Sequence, residues 1–384
     1  MRILSRGKKQ KMNKQVKVII GIVVAVLVIW GVVTVVGNKG PVAEQQNFKL
    51  GLINTMTGPF GSVGENYLKG IKSAELVYEQ KTGKHVDIIV ENDDGDGAKG
   101  LSAYKKLTQA DHINGLINFF TKTMDTIYPD VKAAGYPIMM GAFQANNVAD
   151  DNVFQMTPGN DGMWNKYAPY IKTAGYDLSN FVVVHSKDAA QDSFAKAFVQ
   201  EYGGKVTTYT ASSDKTGLKT DAAKILALKP TTIIFFMTPE NGAILTKEIL
   251  PSKNPSTSLI YDIQLVTGWS QYKDILGTNL SKIEGALTLA WEGDPDQTFI
   301  KAYKQLYGAN ENPGFLADFG YDTFNVYMNN YDKDNAKWIS NIKNDKEQGA
   351  SGKIAFDKVG IRAPDLVVKK VTDGELKNIA RLPF

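Results

Sequence analysis

The stretch FKLGLINTMTGPFGSVGENYLKGIKSAELVYEQKTGKHVDIIVENDDGDG, residues 48–97, decides the fold class. Phe48–Ile53 is a strand-like apolar run, broken at Gly58-Pro59. Tyr67, Leu68, Ile71, Ala74 and Tyr78 then recur at helical spacing until Gly83 stops the pattern. His85–Val90 is apolar and strand-like again. Strand, helix and strand in that order and at that length make a βαβ unit, whose two strands lie parallel.

Outward from this unit the beat repeats. A helical pattern around Leu101–Ala110 precedes a strand at Ile113–Phe119, a helix at Met124–Ala134 and a strand at Pro137–Met140. It resumes with Phe181–His185, Phe194–Tyr202, Val206–Tyr209, Leu218–Leu228, Thr232–Met237, Ala243–Leu250 and Ser258–Tyr261. Alternation of this kind predicts an α/β protein. The 384 residues exceed the usual single core, so two doubly wound parallel-sheet lobes are expected. A single barrel fits the long polar helical stretch after Asp294 poorly. Asn329–Asn335 is rich in Asn, Asp and Lys, and Asn344–Gly352 reads as a solvated linker.

Composition narrows the chemistry. No cysteine is present, which excludes disulfides, thiolate metal sites and a cysteine nucleophile, and the three histidines, His85, His112 and His185, have no ligand spacing. The formal charge is +4, but Arg2, Arg6, Lys8, Lys9, Lys11, Lys14 and Lys17 supply seven positive charges, leaving −3 for everything after them. A nucleic-acid surface is not expected on so mildly acidic a body.

The basic segment 1–17 leads into Val18–Val36, nineteen residues without a charge. At about 1.5 Å per residue this run nearly spans a hydrocarbon core of roughly 30 Å. A secretory signal would be shorter and end at a small-residue cleavage site, and only Val35-Val36-Gly37 offers a weak one. The expectation is a transmembrane anchor or uncleaved signal at 18–36, with the basic flank inside the cell, residues 37–47 as a tether and the body outside. If the segment is cleaved, the body is secreted.

Asn92-Asp93-Asp94-Gly95-Asp96-Gly97 imitates the start of a calcium loop, but its twelfth position is Ala103, where a bidentate Glu is needed. The run is better read as an acidic turn ahead of a helix N-terminus. No dinucleotide or P-loop glycine motif occurs, and Ser62, Ser186 and Ser193 lack a nucleophile-elbow setting. The reading is a binding protein rather than an enzyme, with no cofactor or metal.

In open α/β sheets a ligand sits beyond the carboxyl ends of the strands. Those ends place Thr57 and Phe60 after the first strand, Thr121 and Thr123 after the third, and Ala142, Phe143 and Gln144 after the fourth. Thr121-Lys122-Thr123 opens a helix, where amides and two hydroxyls can seat a carboxylate; the alternative is that Thr121 or Thr123 merely caps that helix.

These positions also carry a resemblance. Leu50–Gly61 resembles the strand and "(S/T)GP…G" loop of the extracytoplasmic solute-binding proteins of the branched-chain amino acid (Leu/Ile/Val-binding) type, which have the type I periplasmic-binding fold. Glu91–Asp94 resembles the family's acidic second-strand end, and Gly135–Ala142 its "G-hydrophobic-P" strand. Phe319–Thr323 resembles its "GYDA" helix and Gly352–Gly360 its closing "G…F…G" hairpin.

The resemblance implies a first lobe of 48–157 plus 290–352, a second of 158–289 plus 353–384, and three hinge crossovers near Thr157, Ala290 and Lys353. It places an α-carboxylate seat on Thr121 and the Ala142–Gln144 loop. Second-lobe contacts fall at Asp188–Gln191, Met237–Glu240 and Asp262–Gln264. The chain departs from the pattern with Ala190-Gln191 where Tyr-Gly is common, Met237 for a tyrosine, and Ile263 in the register of the acid that meets a ligand ammonium. Asp262, one step away, is the first choice among Asp188, Glu240 and Asp262 as its substitute.

The implied function is capture of a small polar or amino-acid-like solute for an ABC permease, by a monomer. The alternative is a ligand-sensing ectodomain that signals to a membrane partner.

Overall fold

The computed structural model describes residues 47–141, 152–158, 160–294 and 296–383. The expected anchor at 18–36 and the expected contacts Ala142, Phe143 and Gln144 lie outside the described residues. Among the described residues no helix is long and apolar enough to cross a membrane.

The first sheet holds β1 (Phe48–Asn54), β2 (Val86–Asn92), β3 (Gly115–Asn118), β4 (Ile138–Met140) and β5 (Val153–Gln155), in the order β2-β1-β3-β4-β5 and all parallel. The second holds β6 (Phe181–His185), β7 (Thr207–Thr210), β8 (Thr232–Phe236), β9 (Ser258–Tyr261) and β10 (Leu287–Trp291), in the corresponding parallel order β7-β6-β8-β9-β10. Two further strands, β13 (Leu366–Thr372) and β14 (Glu375–Leu382), extend it antiparallel from β10. A turn with Asp373 and Gly374 at positive φ joins them. A two-stranded ribbon, β11 (Gln348–Gly349) with β12 (Gly352–Lys353), stands apart.

The helix read from Tyr67, Ile71 and Ala74 is α1 (Gly61–Thr82), ended by Gly83 at φ 67°. It packs on the helix Ala317–Asn329, and the two backbones come closest at glycines. A Cβ on Gly70 would lie 1.8 Å from the Ala317 carbonyl, and one on Gly320 2.1 Å from that of Tyr67. Only glycine permits so close an approach. Apolar residues of both sheets, among them Leu50, Ile117, Val183 and Leu289, are buried in one shared cluster with Trp164 and Tyr327.

Three segments pass between the sheets side by side. Arg362 N donates to Gln155 O at 2.9 Å and Gln155 N to Gly360 O at 2.8 Å. A Cβ on Gly293 would meet Ala350 O at 2.1 Å.

The solvated linker expected at Asn344–Gly352 is corrected here. Helix Asn335–Asn344 takes up its first residue, and Ala350 and Ser351 are buried. The Asp322 carboxylate accepts from Ala350 N at 2.8 Å and Ser351 N at 2.7 Å, and also from the Ser351 hydroxyl. Arg362, fully buried, donates to Ser351 Oγ at 2.7 Å and to the Lys353 carbonyl at 2.9 Å. Only the Ala350–Ser351 end of the stretch joins this buried network, while Lys346, Glu347 and Gln348 are exposed.

Candidate functional site

Strand order reverses between β1 and β3 in the first sheet and between β6 and β8 in the second. A doubly wound sheet leaves a crevice at such a point, because the helices on either side of it depart to opposite faces. The loops after those strands carry most of the sequence-derived candidates.

On the first sheet, buried Asp93 ties three loops together. It accepts from Thr55 Oγ1 and Thr123 Oγ1, both at 2.6 Å, and from Gly95 N at 2.9 Å. The Thr123 hydroxyl is thus committed to Asp93. Asp96 caps the helix Gly97–Lys105 by accepting from Ala98 and Lys99 N, both at 3.0 Å, which is the work of the acidic turn. The Thr57 hydroxyl donates to Asp94, and Phe60 and Phe120 lie 5.5 Å apart between ring centroids. The helix Thr121–Ala134 is preceded by Phe120 at the cap position, with no side-chain cap bond from that residue. Thr121 is its first residue and is half-buried.

On the second sheet, Asp188 caps the helix Ala189–Tyr202 by accepting from Gln191 N at 3.0 Å, and it also accepts from the Ser186 hydroxyl. Gln191 and Asp262 are buried. Asp262 Oδ1 accepts from Gln264 N at 3.0 Å, whereas Asp262 Oδ2 and Gln191 Oε1 have no hydrogen-bond partner among the described residues. Burial drives the Asp262 carboxyl well above the usual carboxylate range, and the charge of Asp188 pushes it the same way. Gln264 Oε1 accepts from Thr267 Oγ1 at 2.8 Å. Met237 is buried in the apolar cluster of the second sheet, and Glu240 is exposed with Lys215 at 3.6 Å. The structure therefore brings Asp188 and Asp262 within electrostatic reach, and leaves Glu240 on the surface and Met237 in the core.

Sequence reasoning passed over a cavity of about 410 Å³ beside the end of β10. Trp291, Phe315 and Asp318 from one side and Val266, Trp269 and Leu376 from the other line it. No strand is read over Leu287–Trp291 in the sequence, and no periodicity marks Asn310–Leu316, where Leu316 turns the chain at φ 65°.

Two parallel sheets of matching order, joined by several crossings, define an α/β protein of the type I periplasmic-binding fold. Residues 47–360 match the model of a family described as periplasmic binding protein, and the chain belongs to that family. Its members bind solutes and are not enzymes, and this chain is a solute-binding protein. No curated protein matches it in sequence.

Among solved structures, the leucine-binding protein LivK of Thermotoga maritima is 19% identical with a TM-score of 0.74, over 88% of this chain and 99% of that one. LivJ of Streptococcus pneumoniae in complex with isoleucine is 15% identical with a TM-score of 0.76, over 88% and 99%. An ABC-transporter solute-binding protein of R. palustris in complex with benzoate is 18% identical with a TM-score of 0.70, over 88% and 97%.

Proposed function

We propose that the chain is the extracytoplasmic solute-binding component of an ABC importer, capturing a small polar or amino-acid-like solute between two lobes. The lobes are 48–157 plus 290–352 and 158–289 plus 353–384, with 18–36 as a membrane anchor and the body monomeric. Thr121 and the 142–144 loop seat a ligand carboxylate on the first lobe, and Asp262 meets an ammonium on the second. Closure removes the ligand from water, which strengthens each polar contact, and the closed form is what a permease distinguishes from the open one.

The observation that carries this reading is Asp262. A carboxylate oxygen buried without a hydrogen-bond donor costs free energy, and a bound ammonium or amide N–H would supply that donor. The structural relatives in complex with isoleucine and with benzoate support a small carboxylate-bearing solute.

The test is native mass spectrometry of the purified chain, followed by a thermal-shift screen of amino acids against their decarboxylated and deaminated analogues. An amino acid that stabilises the chain where both analogues fail supports the reading. Stabilisation only by compounds without an ammonium removes Asp262 from it, and chemical turnover of the bound compound would make the chain an enzyme.

A further inference from the structure

No ligand spacing joins the three histidines to one another, yet the fold sets one of them among carboxylates. Glu75 and Glu79 stand four residues apart near the end of α1, so they share a face of that helix. Gly83 ends the helix, and the chain turns into β2. Val86 is buried, which leaves His85 and Asp87 together on the other side of the strand start. One donor atom from each of Glu75, Glu79 and His85 then lies within 4.8 Å of the others. This corner is at the amino-terminal end of an edge strand, whereas the solute candidates follow the carboxyl ends.

Each ring nitrogen of His85 faces a carboxylate. Nδ1 contacts Glu79 Oε1, and Nε2 lies 3.1 Å from Asp87 Oδ1. A neutral imidazole carries a single N–H. With Asp87 accepting from Nε2, the Nδ1 lone pair is set against the Glu79 carboxylate, and a positive species is needed between them. A proton is one answer, and the hydrogen bond to Glu79 accordingly raises the His85 pKa. It does not answer Glu75, whose side chain is only 12% exposed. Burial, opposed by Lys72 and reinforced by the charge of Glu79, raises the Glu75 pKa too. Lys72 engages one of the two Glu75 oxygens, at 2.9 Å. Three carboxylates against one lysine leave two negative charges around a neutral His85, which a divalent cation cancels and a proton does not.

We propose that Glu75, Glu79 and Nδ1 of His85 bind a zinc ion, with Asp87 orienting the imidazole by accepting from Nε2. Tetrahedral zinc with bonds of about 2.0–2.2 Å sets its donors about 3.4 Å apart. Rotation of the half-exposed Glu79 and exposed His85 side chains reaches that spacing, with the ion replacing the direct contact between them. A carboxylate on the far nitrogen is the common partner of a ligating histidine, because it fixes the tautomer and the ring plane. The imidazole selects zinc over magnesium or calcium, which take oxygen donors. Water completes the fourth position, since the site opens to solvent. The ion ties the last turns of α1 to β2, and its binding is independent of the solute reading.

The test is calorimetry of the untagged full chain, in detergent and stripped of metal by a chelator, titrated with zinc chloride. One zinc per chain is expected at micromolar affinity or tighter, undisturbed by millimolar magnesium. His85→Asn and Glu79→Gln should each weaken zinc about a hundredfold, and Asp87→Asn about tenfold. His112→Asn, at an exposed histidine outside the cluster, should leave it unchanged. Should one ligand variant fold poorly, the other carries the test. Three outcomes overturn the proposal: no heat from zinc, zinc binding that survives both His85→Asn and Glu79→Gln, or displacement of zinc by magnesium, which would make the cluster an ion-paired acidic surface only.

Discussion

Asp262 sets stability against binding at a single carboxyl. Its pKa is raised in the folded chain, so the stability tied to its protonated form is present below the unfolded value of about 3.9 and is lost as pH rises through the folded value. At pH 8 the folded state carries an ionised, buried and half-satisfied carboxylate. Asp262→Asn is therefore expected to stabilise the ligand-free chain at pH 8 by on the order of 1–3 kcal/mol, with the gain vanishing near pH 4. Urea melts of both proteins at the two pH values check this. The same substitution should weaken an ammonium-bearing ligand by about 3 kcal/mol, since an uncompensated charge would then be buried. Opposite signs in the two measurements would separate a binding acid from a merely solvated one. Thr121 is a second residue of this kind. Thr121→Val keeps the shape of the helix start and removes a hydroxyl, and should cost about 1.5–3 kcal/mol in carboxylate binding by calorimetry if that hydroxyl meets a charged oxygen. Unchanged affinity would leave Thr121 with a structural part only.

Among elements, the segment Gln348–Lys353 was the least legible in the sequence, because what orders it is far away in the chain. Its carboxylate partner Asp322 lies 28 positions before Ala350, within a helix whose own pattern reads as plain core. Gly349 has room for no side chain there: a Cβ would stand 2.3 Å from Asp322 Oδ2. Asp322→Ala would leave the Ala350 and Ser351 amides without their acceptor and would remove the foremost of the opposite charges acting on the buried Arg362 guanidinium. A loss of about 3 kcal/mol in chemical denaturation is expected. A loss under 1 kcal/mol would mean that the ribbon is held by its backbone alone. By contrast the βαβ units announced themselves, since periods of 2 and 3.6 are local properties of the chain. β10 and β14 did not, the first being short and buried and the second largely exposed. The candidate site was legible to the same extent. Strand ends located Thr57, Asp188 and Asp262, but that Thr123 answers to Asp93, and that Trp291 opens on a cavity, are facts of packing between distant segments.

For the molecule as a whole, the sheets say where a solute would bind and the N-terminal segment says where the molecule would do so. A capture protein gains from being held near its permease, because tethering replaces a search through bulk solution with a high local concentration. Residues 18–36 are uncharged and mostly β-branched, follow seven basic residues, and are succeeded by a polar stretch, Asn38–Asn47, of the length of a short tether. Burying nineteen such residues in hydrocarbon far exceeds what a single acyl chain contributes, and the basic flank resists translocation. The mature protein is therefore expected to retain 18–36 and to fractionate with membranes, resisting extraction by high salt and carbonate but not by detergent. Replacing Val24 and Val28 by Lys should release it from the membrane fraction, as each charge at the helix centre costs about 2.5–3.5 kcal/mol of insertion. N-terminal sequencing of detergent-extracted protein decides the matter independently. A start near Asn38 would show that the segment is a signal removed after export, and the solute would then be carried by a secreted protein rather than a tethered one.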